Sequence, residues 1–295
     1  MTYKYSNPDT ATKTPLLLGV FIMLFSVISL QVNAQIAPTI EPAQGFHIDG
    51  DLNSNIPVDG VGDWVMGPGT GEYVLQNDGT PLDALNTLLI YDDFNVNTDL
   101  IFQGSKFNDD PNTWSWTTVK ASGKNDINNA AYNLSKDIDN NTWLMVAGDR
   151  LSTTGSSYID FEFLQNPLSR VAGGSFSSSG PDGGRTVNDM VLSMEYSNGG
   201  TNATVHFYLW KPVGTGFQYV EQILPPDVAF AITNAVNIDV PYTAFGASQY
   251  SPYQFVEAAV NVTEIFGAVE PCLGISVSTV IIKIKASDSE TAALS

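Results

Sequence analysis

The sequence predicts an all-β fold, an antiparallel β-sandwich of jelly-roll-like type with one short helix near its C-terminus. Three observations lead there. From Leu88 onward, apolar and polar residues alternate in short runs, the period of a half-buried strand. Turn clusters such as Asn108-Asp109-Asp110-Pro111-Asn112, Ser122-Gly123-Lys124-Asn125-Asp126 and Ser197-Asn198-Gly199-Gly200 separate those runs by roughly 10–15 residues. Charged residues make up only 15% of the chain, so the linking polarity comes from Asn, Ser, Thr and Gly, which favour turns between strands. No strand–helix alternation and no internal repeat is visible.

Residues 1–34 read as a secretory signal peptide. Lys4 and Lys13 precede an uncharged apolar run, 16–30, which at about 15 residues is too short to span a bilayer. Val32-Asn33-Ala34 then offers a small-residue cleavage site before Gln35. The mature chain is therefore expected to be exported, secreted or held at the cell surface, with no transmembrane segment of its own. Residues 35–45 form an extended leader, and 46–295 a single sandwich domain.

Within that domain a short strand at 45–51 enters a turn, and a loop runs to Asp63-Trp64. Turn signals without periodicity make 66–86 a long surface loop. Strands follow at 88–91, 98–102, 113–118, 127–134, 142–148, 157–164, 171–177, 188–196, 203–210, 217–223 and 228–240. The helix falls at 251–266: Pro252 suits its first turn, Phe255, Ala258, Ala259, Val262, Ile265 and Phe266 make an apolar stripe, and Gly267 closes it. A last strand alternates across 275–285. The chain then stops at Ala293-Leu294-Ser295 without a closing turn, as a domain cut from a longer parent would.

Removing Lys4, Asp9 and Lys13 with the signal peptide leaves 30 acidic against 10 basic residues. That balance excludes nucleic acid as a partner, because phosphate binding needs a basic face. It suits a calcium-rich exterior. Cys272 is the single cysteine, so no internal disulfide forms, and a domain of this size can bury enough core to fold without one.

The stretch 142–163 draws the chemistry. It reads as a β-hairpin whose return strand places Tyr158, Asp160 and Glu162 on one face and Ile159, Phe161 and Phe163 on the other. Two carboxylates two residues apart on a strand are about 6.6–6.8 Å apart by Cα, within reach of the ~5–5.5 Å of a retaining glycosidase pair. The third acid usual in such strands is replaced by Leu164. The other reading is calcium as cofactor, bound by oxygen ligands gathered from turns: Asp49, Asp51, Asp63, Asp126 with Asn128 and Asn129, Asp149 and Asp160. Of these, Asp49, Asp51, Asp126, Asp149 and Asp160 are the expected ligands. His47 and His206 are too few and too far apart for a histidine metal site. For binding without chemistry, Trp114, Trp116 and Tyr158 are the candidate platforms on which sugar rings could stack.

Several segments carry a family likeness: I-D-G-D with a following D-W (Ile48 to Asp51, Asp63-Trp64), F-Q-G-S-K-F-N-D-D from Phe102, K-N-D-I-N-N from Lys124, G-S-S-Y-I-D-F-E-F-L-Q ending at Gln165, G-G-R-T-V-N-D ending at Asp189, and K-I-K-A-S-D-S from Lys283. In this order they resemble the N-terminal β-sandwich module of large exported bacterial surface proteins that continue into immunoglobulin-like, PKD-like or prealbumin-like repeats. The I-D-G-D opening is also similar to family 9 carbohydrate-binding modules. The resemblance implies a longer parent chain of further repeat domains. With the export signal, the strand pattern and the loop oxygens it favours a non-enzymatic, adhesin-type module whose partner is an extracellular glycan or matrix. The alternatives are a glycoside hydrolase using Asp160 and Glu162 or a ligand-free structural cap of the repeat array.

Overall fold

Twenty strands lie among the described residues. The computed structural model describes residues 38–39, 46–54, 62–68, 71–137, 139–225, 227–267, 277–285, 287 and 293–294. The expected signal peptide, most of the leader, Cys272 and the start of the last strand lie outside the described residues. Strands β1 (Pro38–Thr39), β2 (Phe46–His47), β3 (Gly62–Val65) and β4 (Glu72–Leu75) form a small parallel sheet in that order. The sequence treats 66–86 as loop, yet β4 lies inside it with Val74 and Leu75 buried, because four residues are too few to show a period.

Next come β5 (Thr87–Tyr91), β6 (Leu100–Phe102), β7 (Trp116–Thr118), β8 (Asn129–Lys136), β9 (Thr142–Asp149) and β10 (Ser157–Leu164). The predicted strand 171–177 spans a turn: β11 (Leu168–Val171) and β12 (Ser175–Ser178) pair across Gly173 and Gly174, both at positive φ. Strands β13 (Met190–Ser197), β14 (Asn202–Val213) and β15 (Gly216–Glu221) make an antiparallel meander. The expected run 228–240 is likewise two strands, β16 (Ala229–Thr233) and β17 (Ile238–Ala244), followed by β18 (Ala247–Tyr250).

The predicted 251–266 helix is largely a strand. β19 (Phe255–Asn261) is paired on both sides, and only α1 (Val262–Gly267) is helical, with the Asn261 side chain accepting from the Glu264 N–H at its start. All seven residues of β19 are buried. A strand covered on both faces loses its alternation, and a continuous apolar run then mimics a helical stripe. β20 (Thr279–Lys285) completes the set.

Two five-stranded antiparallel sheets face each other. Sheet I has the order β16-β19-β9-β8-β5, and sheet II the order β15-β14-β13-β10-β20. Leu144, Val146 and Val256 of sheet I meet Phe161, Leu192 and Phe207 of sheet II between them. Truncating one such buried aromatic, as in Phe161→Ala, costs about 3–5 kcal/mol. Both outer faces are covered too. The N-terminal strands lie over sheet I, where Trp64, Trp143, Val240 and Tyr250 share a second core. The 107–114 segment and β12 lie over sheet II, around Phe107, Trp114, Trp210 and Phe176.

One consequence overturns the expected hairpin at 142–163. Its two strands are present, but β9 pairs with β8 and β19 in sheet I, while β10 pairs with β13 and β20 in sheet II. The connection crosses the sandwich. A Cβ on Gly148 would sit 3.0 Å from Ile159 Cδ1, so the two strands meet face to face rather than edge to edge.

Candidate functional site

Alternation along β10 turns Ile159, Phe161 and Phe163 into the inter-sheet core and sends Asp160 and Glu162 to the outer face of sheet II. That face is sealed. Glu162 is fully buried: Arg185 Nε donates to its Oε1 at 2.6 Å, Tyr219 Oη to the same oxygen at 2.6 Å, and Lys283 Nζ donates to Oε2. Burial alone would raise the Glu162 carboxyl, but the charges of Arg185 and Lys283 and their hydrogen bonds overrule it and hold it down at about 2. Asp160, also fully buried, has Lys285 Nζ 3.3 Å from its Oδ1 without hydrogen-bond alignment.

Aromatic faces complete the neutralisation. The Arg185 guanidinium lies over Trp210 at 4.5 Å, Tyr219 at 4.9 Å and Trp114 at 5.0 Å, and Lys285 over Phe107 at 4.0 Å. The cations Lys283 and Lys285 come from β20, whose alternation matches that of β10. A fully buried carboxylate pair locked by three cations offers no open couple for a sugar ring.

The expected calcium ligands do not converge. Asp149 faces away from the inter-sheet core on sheet I, so it and Asp160 lie on opposite outer faces of the sandwich and share no ion. Asp149 is already saturated: it accepts from the Asn128 and Asn129 N–H groups, from Asn129 Nδ2 and from Tyr250 Oη at 2.7–3.0 Å. Burial nevertheless raises its carboxyl to about 6 against those hydrogen bonds.

Asp126 belongs to a different group. Its Oδ2 accepts from the Asn95 N–H at 3.0 Å, while its Oδ1 is buried without a hydrogen bond. Burial, then the charge of Asp99, raises it. Asp92, raised to about 6 by burial and again by Asp99, stands in the same group. The signal was an oxygen-bearing side chain at every second position: Asp93, Asn95, Asn97 and Asp99.

Asp49 joins residues that the ligand set left out. β2 and β3 run parallel, with Phe46 opposite Gly62, so the next residues, His47 and Asp63, stand side by side. His47, Asp49 and Asp63 each bring a ligand-type atom within 4.8 Å of the others. Behind them Glu257 of β19, fully buried, accepts from the N–H groups of Asp49 and Gly50 with Oε1 and from the Trp64 indole with Oε2. Burial, Glu257 and Asp49 together push the Asp63 carboxyl well above its usual range, and burial pushes Glu257 the same way. Glu257 stayed hidden because its strand reads as helix. Asp51 flanks the group, its Oδ1 accepting from the Asn53 N–H.

The aromatic candidates separate. Trp114 is 1% exposed and donates to the Lys106 carbonyl, and Tyr158 is 7% exposed and donates to Glu195. Both pack inside the cover of sheet II, so neither can stack on a ligand as placed. Trp116 alone of the three is half-buried; its indole donates to the Ser175 carbonyl at 3.0 Å, and Arg170 lies 5.8 Å over its ring. His206 bridges Glu195 and Glu221 on the sheet II surface.

No protein-family model, no curated protein and no solved structure matches this chain. Among the described residues no helix is long and apolar enough to cross a membrane.

Proposed function

We propose that the chain is a non-catalytic recognition module of an exported protein, secreted or at the cell surface, that binds a glycan or matrix ligand and takes calcium at its loop carboxylates. The observation that carries this reading is the sealing of Asp160 and Glu162. The strand carboxylate pair that would serve a glycosidase is spent on Arg185, Lys283 and Lys285 in the interior. The acidic surface, the export signal read in the sequence and the resemblance to N-terminal sandwiches of repeat-bearing surface proteins support the same reading.

Trp116, beside Arg170 on the β7–β12 side, is the least buried of the three candidate aromatics and the one left for a sugar ring. For calcium, Asp126 of the expected ligands offers a buried carboxylate oxygen without a hydrogen bond. A glycan array with wild type and Trp116→Ala tests the recognition claim, which expects binding by the first and at least a tenfold loss in the second. Release of reducing sugar from polysaccharides by the folded wild type would replace this reading with the hydrolase. A melt in calcium against chelator tests the metal claim, with Asp126→Asn expected to remove the calcium shift.

A further inference from the structure

We propose that His47, Asp49 and Asp63 bind one first-row divalent transition ion, with zinc as its type, and that this ion ties the N-terminal strands to the outer face of sheet I. Three observations lead to it. The ligand-type atoms already lie within 4.8 Å of one another, and zinc bonds of about 2.0–2.2 Å require only a modest further approach. His47 Nε2 and Asp63 Oδ2 are buried and have no hydrogen-bond partner, in residues exposed by 2% and 0%. Such atoms are rare in a folded interior and are expected to find a proton, a water or an ion.

The third observation is charge. The groups acting on Asp63 are the carboxylates of Glu257, Asp49 and Asp51 and the Trp64 N–H, with no lysine or arginine among them. Carboxyl groups buried beside one another in this way must hold protons or a cation.

The donor set selects the ion. Calcium takes six to eight oxygens, whereas this triad contributes one imidazole nitrogen and two carboxylates, a set suited to zinc and its neighbours with a position left for water. Glu257 acts as a positioning residue. Both its oxygens are engaged by N–H donors, and through the Asp49 and Gly50 amides it fixes the turn that carries Asp49. That turn requires glycine: Gly50 has φ +90°, and a Cβ there would lie 2.9 Å from the Thr233 carbonyl oxygen.

The test uses the mature chain stripped with chelator, titrated with zinc in the presence of millimolar calcium, and read by calorimetry and native mass spectrometry. One zinc per chain is expected, with a rise in Tm of roughly 5–10 °C at a hundredfold excess over Kd. Cobalt in place of zinc should give a visible ligand-field absorption that is lost in His47→Gln. Asp63→Asn should abolish uptake. If that variant does not fold, Asp49→Asn, at a partly exposed position, should weaken binding at least tenfold. Failure of the folded wild type to take zinc, uptake unchanged in these variants, or a preference for calcium would each overturn the assignment. None of these results bears on the recognition reading, which Trp116→Ala tests separately.

Discussion

The two outer faces of the sandwich both bury carboxylates, and they balance them differently. On sheet II, Asp160 and Glu162 meet Lys285, Lys283 and Arg185, with Phe107 and Trp210 lining the cations. On sheet I, Asp63 and Glu257 meet Asp49 and Asp51, a neighbouring histidine and backbone N–H groups. The first layer is complete within the chain. In the second, no lysine or arginine is among the groups acting on Asp63, and burial holds the Asp63 and Glu257 carboxyls toward their protonated form. The difference shows that a buried acid is diagnostic only together with its partners: the pair that looks catalytic in sequence is structural, and the residues that look dispersed form the group open to an ion.

The largest expected effect comes from breaking the complete layer. Glu162→Gln leaves Arg185 and Lys283 buried without their counter-charge and should cost about 3–5 kcal/mol, read as a lower urea midpoint with unchanged slope. Acid should reach the same layer more gently. The Glu162 carboxyl is held down at about 2, so its contribution is fully present above the unfolded value near 4.5 and is lost as pH falls from there toward 2. Unfolding at pH 5 and pH 2.5 should differ by roughly 2 kcal/mol from this group.

Sheet I should respond with the opposite sign. Asp63→Asn in metal-free buffer replaces an acid that burial holds toward its protonated form and keeps the acceptor for the Trp64 N–H, so at neutral pH it should stabilise by on the order of 1 kcal/mol. A loss as large as that of Glu162→Gln would erase the contrast between the layers. Asp149 sharpens the same point. Its carboxyl is raised to about 6, so the folded state holds a proton that the unfolded state releases above about 3.8, and stability should fall as pH rises between those values. Asp149→Asn should flatten that slope in melts at pH 4, 5, 6 and 7. Gly50→Ala should cost a comparable amount, about 1–2 kcal/mol from strain at positive φ.

Much of the fold was legible where turn clusters bound the strands and polar residues alternate with apolar ones, as Asp160 and Glu162 do in the fully buried β10. β8, β9, β10 and β13 fall within two or three residues of their expected spans, and the all-β class follows from them. The failures have separate causes. β19 carries apolar residues on both of its covered faces, so its periodicity is lost and Glu257 vanished into an apparent helix. The link from β9 to β10 looked like a hairpin because local turn chemistry does not say whether the next strand pairs beside its predecessor or opposite it. The site was less legible. Alternating Lys283 and Lys285 were a readable complement to Asp160 and Glu162, but their pairing spans 121 residues between Lys283 and Glu162. The sharing of one face by His47, Asp49 and Asp63 depends on a parallel register that no motif encodes.

The alternation of β20 has a kinetic consequence. A slip of one residue against β10 would drive Lys283 and Lys285 into the apolar gap between the sheets and turn Ile282 and Ile284 outward. No pairing of this strand slipped by an odd number of residues is therefore worth keeping, and the correct one must be found across a long loop. The charged layer thus acts as a proofreading device: refolding is expected to be slow and single-registered, and replacing both lysines with methionine should speed strand docking while letting misaligned forms accumulate.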